Sequence, residues 1–486
     1  MLRIRLSYFA LALPLCLAAC AQVAPNKALP TEPTPSAWQA PVPDLPHQGH
    51  LTSLSQWWHQ WHDVSLVALI DAAQAASPSL DAARARLDQA QAGLLLAQAM
   101  LGPNVDASLS SNRGRQTMLF GTPIATVTQA RVGATWETDL FGQNRALRDA
   151  TSLRLQGAQA AWHEARVSLA AEVANLYLGY RACDATVALL REDRESRAVT
   201  ARLTQAQAEA GFATVSSAQM ARSAVAEASA RQRQQVAVCD IHIKGLVALT
   251  GLTESDLRRR LAASPSTSSV QAPPLAIETI PAKALAQRPD VFQAERNVAA
   301  VSRELGSAQA ERYPKLSLSG TVGQMNLRMG GSGFDLSTWA IGPVTLSLPL
   351  WDNGRFDAHM ADATAKYEEA AANYRAKVRQ AVREVEEALV NLDSARGRLA
   401  DLQSAASGYQ AVYKGTQQRQ QQGLASVGEL EEARRTVLAA QAALTAQQRD
   451  TQLAWVSLYR AVGGGWTLDT PEMPGKHGAA TQVSTK

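Results

Sequence analysis

The chain has 486 residues, of which 47 are Lys or Arg and 43 are Asp or Glu, so its formal net charge at pH 7 is only +4. This near balance excludes the concentrated basic surface with which proteins bind nucleic acids. Aromatic residues make up 5% of the chain, and Ala, Gln, Leu and Arg are frequent outside the turns. Small side chains and high helix propensity predict long helices that pack closely together.

The N-terminus predicts export from the cytoplasm. Two arginines precede an apolar run at residues 6–17, which has the charge layout of a secretory signal and is too short to span a bilayer. The run ends Leu17-Ala18-Ala19-Cys20, which resembles a bacterial lipoprotein box. That resemblance implies removal of residues 1–19, acylation of Cys20 and sorting to the outer membrane. An ordinary signal with a coincidental cysteine is the alternative.

A proline-rich tether follows at residues 20–56, and the chain after it contains two corresponding repeats. Repeat 1 covers 57–263, a Pro/Ser-rich linker covers 264–281, repeat 2 covers 282–466 and a tail covers 467–486. A repeat this long is not a solenoid unit, whose period would be roughly 20 to 50 residues. A duplicated half-structure favours a channel, a transporter or a symmetric scaffold over an enzyme with one cleft.

Each repeat predicts a strand hairpin followed by a long αα-hairpin. Apolar and polar residues alternate at about 103–139 and again at about 314–350, in strands about ten residues long, as in membrane barrels. Four such strands cannot close a membrane barrel, because the smallest use about eight; oligomerisation is therefore expected. The long helices, at about 142–250 and 353–463, turn at glycines.

Two cysteines in repeat 1 lie symmetrically about the predicted turn. Cys183 is 28 residues before Gly211, and Cys239 is 28 residues after it, so an antiparallel hairpin brings them to the same level. A disulfide also needs converging side chains, and buried free thiols are common. Both a disulfide and a pair of free thiols therefore remain open.

The sequence predicts no enzyme, no metal site and no cofactor besides the lipid on Cys20. The closely spaced histidine pairs lack cysteine or carboxylate partners at ligand spacing. The run Gly463-Gly464-Gly465 lacks the lysine and the following helix of a phosphate-binding loop. A helix stop explains this run better.

The order of helix, strand hairpin, very long helix, glycine turn and returning helix resembles the outer-membrane efflux proteins of the TolC/OprM/NodT type over roughly residues 55–466. The most specific marks are three motifs: Leu140-Phe141-Gly142-Gln143-Asn144-Arg145, Pro349-Leu350-Trp351-Asp352-Asn353-Gly354-Arg355 and Gly463-Gly464-Gly465-Trp466. The resemblance implies a mainly α fold with a β-barrel part. In it, a homotrimer forms a twelve-stranded barrel in the outer membrane that continues into a long periplasmic α-helical barrel.

The resemblance also implies a function and partners. The protein is expected to be the outer-membrane channel of a tripartite efflux system for small amphipathic compounds or ions, a route to multidrug resistance. Its expected partners are a periplasmic adaptor (membrane fusion) protein, an inner-membrane pump such as an RND-type transporter, and outer-membrane lipid. Two alternatives remain, namely a non-conducting trimeric lipoprotein scaffold and the exit duct of a type I polypeptide secretion system.

The resemblance transfers site roles to residues near the two turns. Glu429 and Glu432, on one helical face, correspond to the acidic residues of a periplasmic gate that selects cations. Repeat 1 departs from this pattern, with Ser217 where an acid would stand. The acids near the second turn also suit a helix N-terminus on their own. The expected adaptor-contacting tips are Gly211, Phe212 and Ala213 together with Arg419, Gly423 and Leu424.

Overall fold

The computed structural model describes residues 27–28, 30–40, 57–115, 124–263, 285–329 and 331–465. The chain divides into two compact units. The first comprises the described residues within Met1–Glu32, Arg84–Gln159 and Phe292–Lys377, and the second comprises those within Pro33–Ala83, Ala160–Val291 and Val378–Lys486. The predicted signal peptide, Cys20, the inter-repeat linker and the C-terminal tail lie outside the described residues.

The described elements follow the predicted order in both repeats. Repeat 1 contains α1 (Trp57–Gln60), α2 (Val64–Ala76), α3 (Pro78–Ala99), β1 (Asn104–Arg115), β2 (Ile124–Glu137), α4 (Gln143–Glu209), α5 (Val215–Thr250) and α6 (Glu254–Ala263). Repeat 2 contains α7 (Pro289–Ala310), β3 (Lys315–Met329), β4 (Ser332–Ser347), α8 (Arg355–Gln421) and α9 (Val427–Ala461). Helices α4 and α8 have 67 residues each, which corresponds to a length of roughly 100 Å.

The strands of both repeats belong to one antiparallel sheet in the first unit. Its order is β1-β2-β3-β4, and the two hairpins join where β2 pairs with β3, from Ala125 opposite Met329 to Glu137 opposite Ser317. The strands have 12 to 16 residues, more than the predicted length of about ten. The predicted length was too short because strand pairing continues into the glycine-containing turn of the hairpin. Gly333, for example, pairs with Arg328.

One face of the sheet carries a row of exposed apolar side chains. Val132 pairs with Val322, which in turn pairs with Trp339, so these three side chains line up across three strands. Each is exposed in the described chain, Trp339 by 75%. An exposed apolar face of this kind marks an interaction surface or a membrane-contacting surface.

The largest apolar core lies in the second unit and includes residues of α1, α2, α4, α5, α8 and α9. Trp57 stacks on Tyr459 with ring centroids 4.8 Å apart. Asp63 caps α2 by accepting hydrogen bonds from two of its backbone N–H groups, and its other oxygen accepts one from the Tyr177 hydroxyl at 2.7 Å. The three tryptophans before α2, Trp57, Trp58 and Trp61, are therefore packed into this core.

The apolar residues that recur along α8 at spacings of four and three are buried over only part of the helix. Val378, Val385 and Leu389 are buried, whereas Leu399 and Leu402, nearer the turn, are half-exposed. Within the described ranges no single helix is both long and apolar enough to cross a membrane; α5 and α6 reach that composition only as a pair bent by 112°.

Candidate functional site

Both αα-hairpins of the second unit turn through the same backbone geometry. Gly211 has a φ of +80° and Gly423 a φ of +75°, in the left-handed region that glycine enters without steric cost. In repeat 1, the N–H of Phe212 donates to the carbonyl five residues earlier at 2.8 Å. The N–H of Leu424 makes the same bond, also at 2.8 Å, in repeat 2. The two turns therefore correspond residue for residue.

The residues predicted as adaptor-contacting tips lie at these turns. Phe212 is 87% exposed and Leu424 is 65% exposed, so both side chains are accessible to a partner at the turns. Repeat 2 adds one bond of its own, from the Arg419 guanidinium to the Leu424 carbonyl at 3.1 Å. Adaptor contact through these tips stays a prediction.

Glu429 belongs to the cap of α9. The Ser426 hydroxyl accepts a hydrogen bond from the Glu429 N–H at 3.1 Å, and the Glu429 carboxylate accepts one from the Ser426 N–H at 2.8 Å. This capping box satisfies two backbone donors and places a negative charge at the positive end of the helix dipole. Glu429 therefore has a structural role whether or not it also lines a gate.

Glu432, the second predicted gate residue, is paired with an arginine. Its carboxylate accepts a hydrogen bond from Arg435 at 2.5 Å, while the Glu432 side chain remains 72% exposed. Arg435 also donates to the hydroxyls of Ser196 and Thr200 on α4, at 3.4 Å and 3.1 Å. The Glu432 carboxylate is thus attached through Arg435 to the long helix of the other repeat.

For the acid between these two, Glu431, the sequence predicts only a preference for the helix N-terminus. Glu431 is buried, with 8% of its side chain exposed, and its backbone carbonyl accepts a hydrogen bond from the Ser196 hydroxyl at 3.4 Å. Its Oε2 lies 4.0 Å from Arg434 and has no hydrogen-bond partner in the described chain. Helical spacing alone could have separated Glu431 from the face shared by Glu429 and Glu432.

The first turn carries no acid at the corresponding place. Thr214 caps α5 by accepting a hydrogen bond from the Ser217 N–H at 3.1 Å, and its hydroxyl also lies 2.8 Å from the Ser217 hydroxyl. The predicted departure of repeat 1 from the gate pattern is visible here as a cap built from hydroxyls alone. Any acidic ring would therefore come from repeat 2.

Cys183 of α4 and Cys239 of α5 form a disulfide, with Cα atoms 5.6 Å apart. By the correspondence of the turns, their counterparts in repeat 2 are Ala395 and Thr451. The Ala395 carbonyl accepts hydrogen bonds from the Thr451 hydroxyl at 3.3 Å and from the Gln447 amide at 3.0 Å. Each hairpin is thus tied at the same level, covalently in repeat 1 and by buried hydrogen bonds in repeat 2.

No group of three or more His, Cys, Asp or Glu side chains converges as a metal site anywhere in the described parts of the chain. The candidate site in the second unit consists of the two capped turns and the acids beside the second turn. The disulfide of repeat 1 and the hydrogen bonds of repeat 2 link the two helices of each hairpin.

The family model for outer membrane efflux proteins matches residues 69–252 and 280–464, which is more than half of the chain. The chain belongs to the outer membrane efflux protein family. The two matched segments coincide with the two repeats, and the family predicted from the sequence is confirmed.

Individual relatives agree over most of the chain. Outer membrane protein OprJ of Pseudomonas aeruginosa is 29% identical over 464 residues, covering 94% of this chain and 95% of its own. Toluene efflux pump outer membrane protein TtgC of Pseudomonas putida is 27% identical, covering 92% and 93%. The CmeC outer membrane channel of Campylobacter jejuni has the same fold, with a TM-score of 0.78 at 21% identity and coverage of 92% and 96%.

Proposed function

We propose that this member of the efflux family works as a homotrimer, as the outer-membrane exit channel of a tripartite pump. The observation that carries this proposal is the four-stranded sheet, with its row of exposed apolar side chains and with β1 and β4 each paired on one side only in the described chain. A membrane-inserted sheet must pair every backbone group, because lipid offers none. Strand edges that meet between three chains satisfy that requirement.

Three chains would supply twelve strands, which exceeds the minimum of about eight that a membrane barrel needs. The apolar face would then contact lipid, and the polar face would line the lumen. A lipid on Cys20 would add a second attachment to the same membrane.

The two αα-hairpins would extend away from the membrane toward an adaptor and an inner-membrane pump. Exposed Phe212 and Leu424 at the turns provide apolar contacts for a helical partner, which packs apolar residues into a groove. Two related tips per chain would present six such contacts around the axis of a trimer.

The gate would be formed by repeat 2 alone. Three chains bring six carboxylates from Glu429 and Glu432 around one axis, where like charges repel each other and attract cations. Arg435 reduces this repulsion at Glu432 because it pairs with that carboxylate. The cargo would be small amphipathic compounds or ions. The relative TtgC belongs to a toluene efflux pump, which supports a small organic compound as cargo.

Single-channel recording in planar bilayers tests this proposal. The purified protein should run as a trimer and form cation-selective pores. The double variant E429A/E432A should keep the trimer but lose selectivity and sensitivity to block by multivalent cations. The control E368A/E369A removes two exposed acids of α8 and should change neither property.

The outcomes separate the alternatives. A stable trimer without conductance would support the non-conducting scaffold. A stable monomer in mild detergent would contradict the shared barrel, and unchanged selectivity in E429A/E432A would remove these residues from the gate.

A further inference from the structure

Within one chain, the two repeats meet at a junction that is filled by aromatic and charged contacts. Strand β2 of repeat 1 pairs with β3 of repeat 2, and the segment after β2 packs against the segment before β3. Phe141 stacks on Tyr313 with ring centroids 5.0 Å apart, and Arg154 of α4 pairs with Glu304 of α7 at 2.6 Å. The residues that precede β3 are therefore in contact with repeat 1.

The corresponding segment after β4 is exposed. Leu350 is 89% exposed, and Trp351, the counterpart of Phe141, is 86% exposed. Strand β4 is paired only with β3 in the described chain. Two large apolar side chains therefore lie at the free edge of the sheet, where the junction within the chain has an aromatic stack.

A second apolar patch lies at the opposite edge of the sheet, on the helix that precedes β1. Leu95 and Leu96 of α3 and Met100 just after it are exposed by 60%, 68% and 49%. A Cβ added to Gly93, half a turn earlier on α3, would touch no atom of the described chain within 4 Å. We call Leu95, Leu96 and Met100 the α3 patch, which no other part of the described chain covers.

The matching face of α7 in repeat 2 is covered. Both helices lead to a proline before their strand, in Gly102-Pro103 before β1 and in Tyr313-Pro314 before β3, so the two helices can be aligned. The counterparts of the α3 patch are Gly306, Ser307 and Glu311, which are buried or half-buried. The covered face thus carries small and polar residues, whereas the exposed face carries large apolar ones. This distribution points to a partner for the α3 patch outside its own chain.

The directions of the strands bring the two apolar surfaces together when two copies meet. The first residues of β1 and β3 and the last residues of β2 and β4 lie at one end of the sheet. Antiparallel pairing of β4 with β1 of a second copy, like that of β2 with β3, places the end of β4 beside the start of β1. Within the chain Glu137 is opposite Ser317, and the same register puts Ser347 opposite Asp106 of the second copy. The segment after β4 then reaches the α3 patch.

We propose that Leu350 and Trp351 dock on the α3 patch of a second copy of this chain. Gly102 occupies the place of Tyr313, so the second copy leaves space for an indole ring, which is larger than the ring of Phe141. Burial of large apolar side chains on both sides stabilises the contact. The inference rests on the proposed homotrimer and adds to it the contact that fixes the order of the chains.

This contact makes the assembly head-to-tail. Each copy offers two different surfaces, the end of β4 and the α3 patch, and contacts of this kind close into a ring. Two β4 edges that met each other would cover Leu350 and Trp351 but leave both α3 patches in solvent. The apolar contact therefore favours pairing of β4 with β1 over pairing of like edges.

Disulfide cross-linking of the full-length protein in mild detergent tests this contact. Oxidised L350C/L96C should run as a covalent trimer in non-reducing denaturing gels, because each chain supplies one cysteine to each neighbour. The single variants L350C and L96C should run as monomers. The control L350C/S307C carries its second cysteine at the matching place on α7, which is half-buried in its own chain, so it should also run as a monomer.

Charge exchange tests the same contact without cysteines. L350K and L96E should each raise the protein concentration at which the trimer dissociates about tenfold or more, because burial of one leucine side chain contributes more than a factor of ten. L350K/L96E should dissociate at a lower concentration than either single variant, since the introduced charges attract each other across the contact. F212K alters an exposed apolar side chain at the first turn and should change nothing. All variants should keep the helical circular dichroism of the unmodified protein.

Two results would overturn the docking and leave the trimer intact. One is a trimeric L350C/L96C without covalent linkage. The other is an additive effect of L350K and L96E, which would mean that lipid or detergent covers the two surfaces separately. A monomeric unmodified protein would instead overturn the proposed function, and this inference with it.

Discussion

The two helices of each αα-hairpin are linked by a disulfide in repeat 1 and by hydrogen bonds in repeat 2. This difference leads to a quantitative prediction. The disulfide of repeat 1 closes a segment of 56 residues, which in the chain-entropy treatment stabilises the folded hairpin by about 4 kcal/mol at 25 °C. The tie of repeat 2 consists of neutral hydrogen bonds, each with a net contribution of about 1 kcal/mol. Removing both cysteines by C183A/C239A should therefore cost about four times as much as removing one hydroxyl by T451V.

Native-state hydrogen exchange measures this difference within one molecule. In C183A/C239A, the opening free energy of amides between the two cysteines should fall by about 4 kcal/mol, while amides of α8 and α9 stay unchanged. In T451V the loss should be about 1 kcal/mol and confined to α8 and α9. Reduction of the unmodified protein by dithiothreitol should reproduce the first result.

Two results would refute this reasoning. Equal losses in the two variants would mean that the disulfide adds no more than a hydrogen bond does. Two reactive thiols per chain under denaturing, non-reducing conditions would mean that the cysteines are not joined at all. An oxidising periplasm favours the bridged form.

Three further predictions concern residues of the second unit. Arg288 is buried between two carboxylates at 2.8 Å and 2.7 Å, so R288M should lower the free energy of unfolding in urea by about 3 to 5 kcal/mol. Burial, and secondarily a neighbouring arginine, lowers the pKa of His163 from 6.5 to about 4. The unfolded state therefore binds more protons, stability should fall as pH drops from 6.5 toward 4, and H163Q should flatten that dependence in pH-resolved melting. S426A should lower the opening free energy of amides in α9, measured by hydrogen exchange, by about 1 kcal/mol without affecting α5. T214A should lower it in α5 without affecting α9. If either variant destabilised both hairpins, the two caps would not act independently.

The elements with a strong period were predictable from the sequence. Alternation with a period of two predicted the strand pairs, and the long stretches between these strands and the turn glycines, which contain no proline, are typical of helices such as α4 and α8. The turns were predictable because Gly211 and Gly423 adopt a positive φ that other residues avoid. The ends of the strands were not, since pairing with a neighbouring strand extends a ladder into polar residues that have no strand signal of their own.

The candidate site was predictable only in part. Position in the repeat placed Glu429 and Glu432 beside the turn, but not the capping box that holds Glu429 or the arginine that holds Glu432. These depend on the directions of side chains, which spacing does not specify. The cysteines show the same limit. Equal spacing from Gly211 placed Cys183 and Cys239 opposite each other, but the sequence did not show whether their side chains converge.

The sequence by itself determined that the protein is a duplicated unit with helical hairpins, turn glycines and amphipathic strands, because these follow from local periodicity and local backbone preference. The tertiary structure decided how the two repeats differ. Arg145 is neutralised by Asp139, whereas Arg355 lines an open cavity, although both occupy the same place in a shared motif. The sequence already places Pro349 where repeat 1 has Asp139, but only the fold shows that the Asp139 carboxylate reaches Arg145, because spacing along the chain does not specify the direction of a side chain.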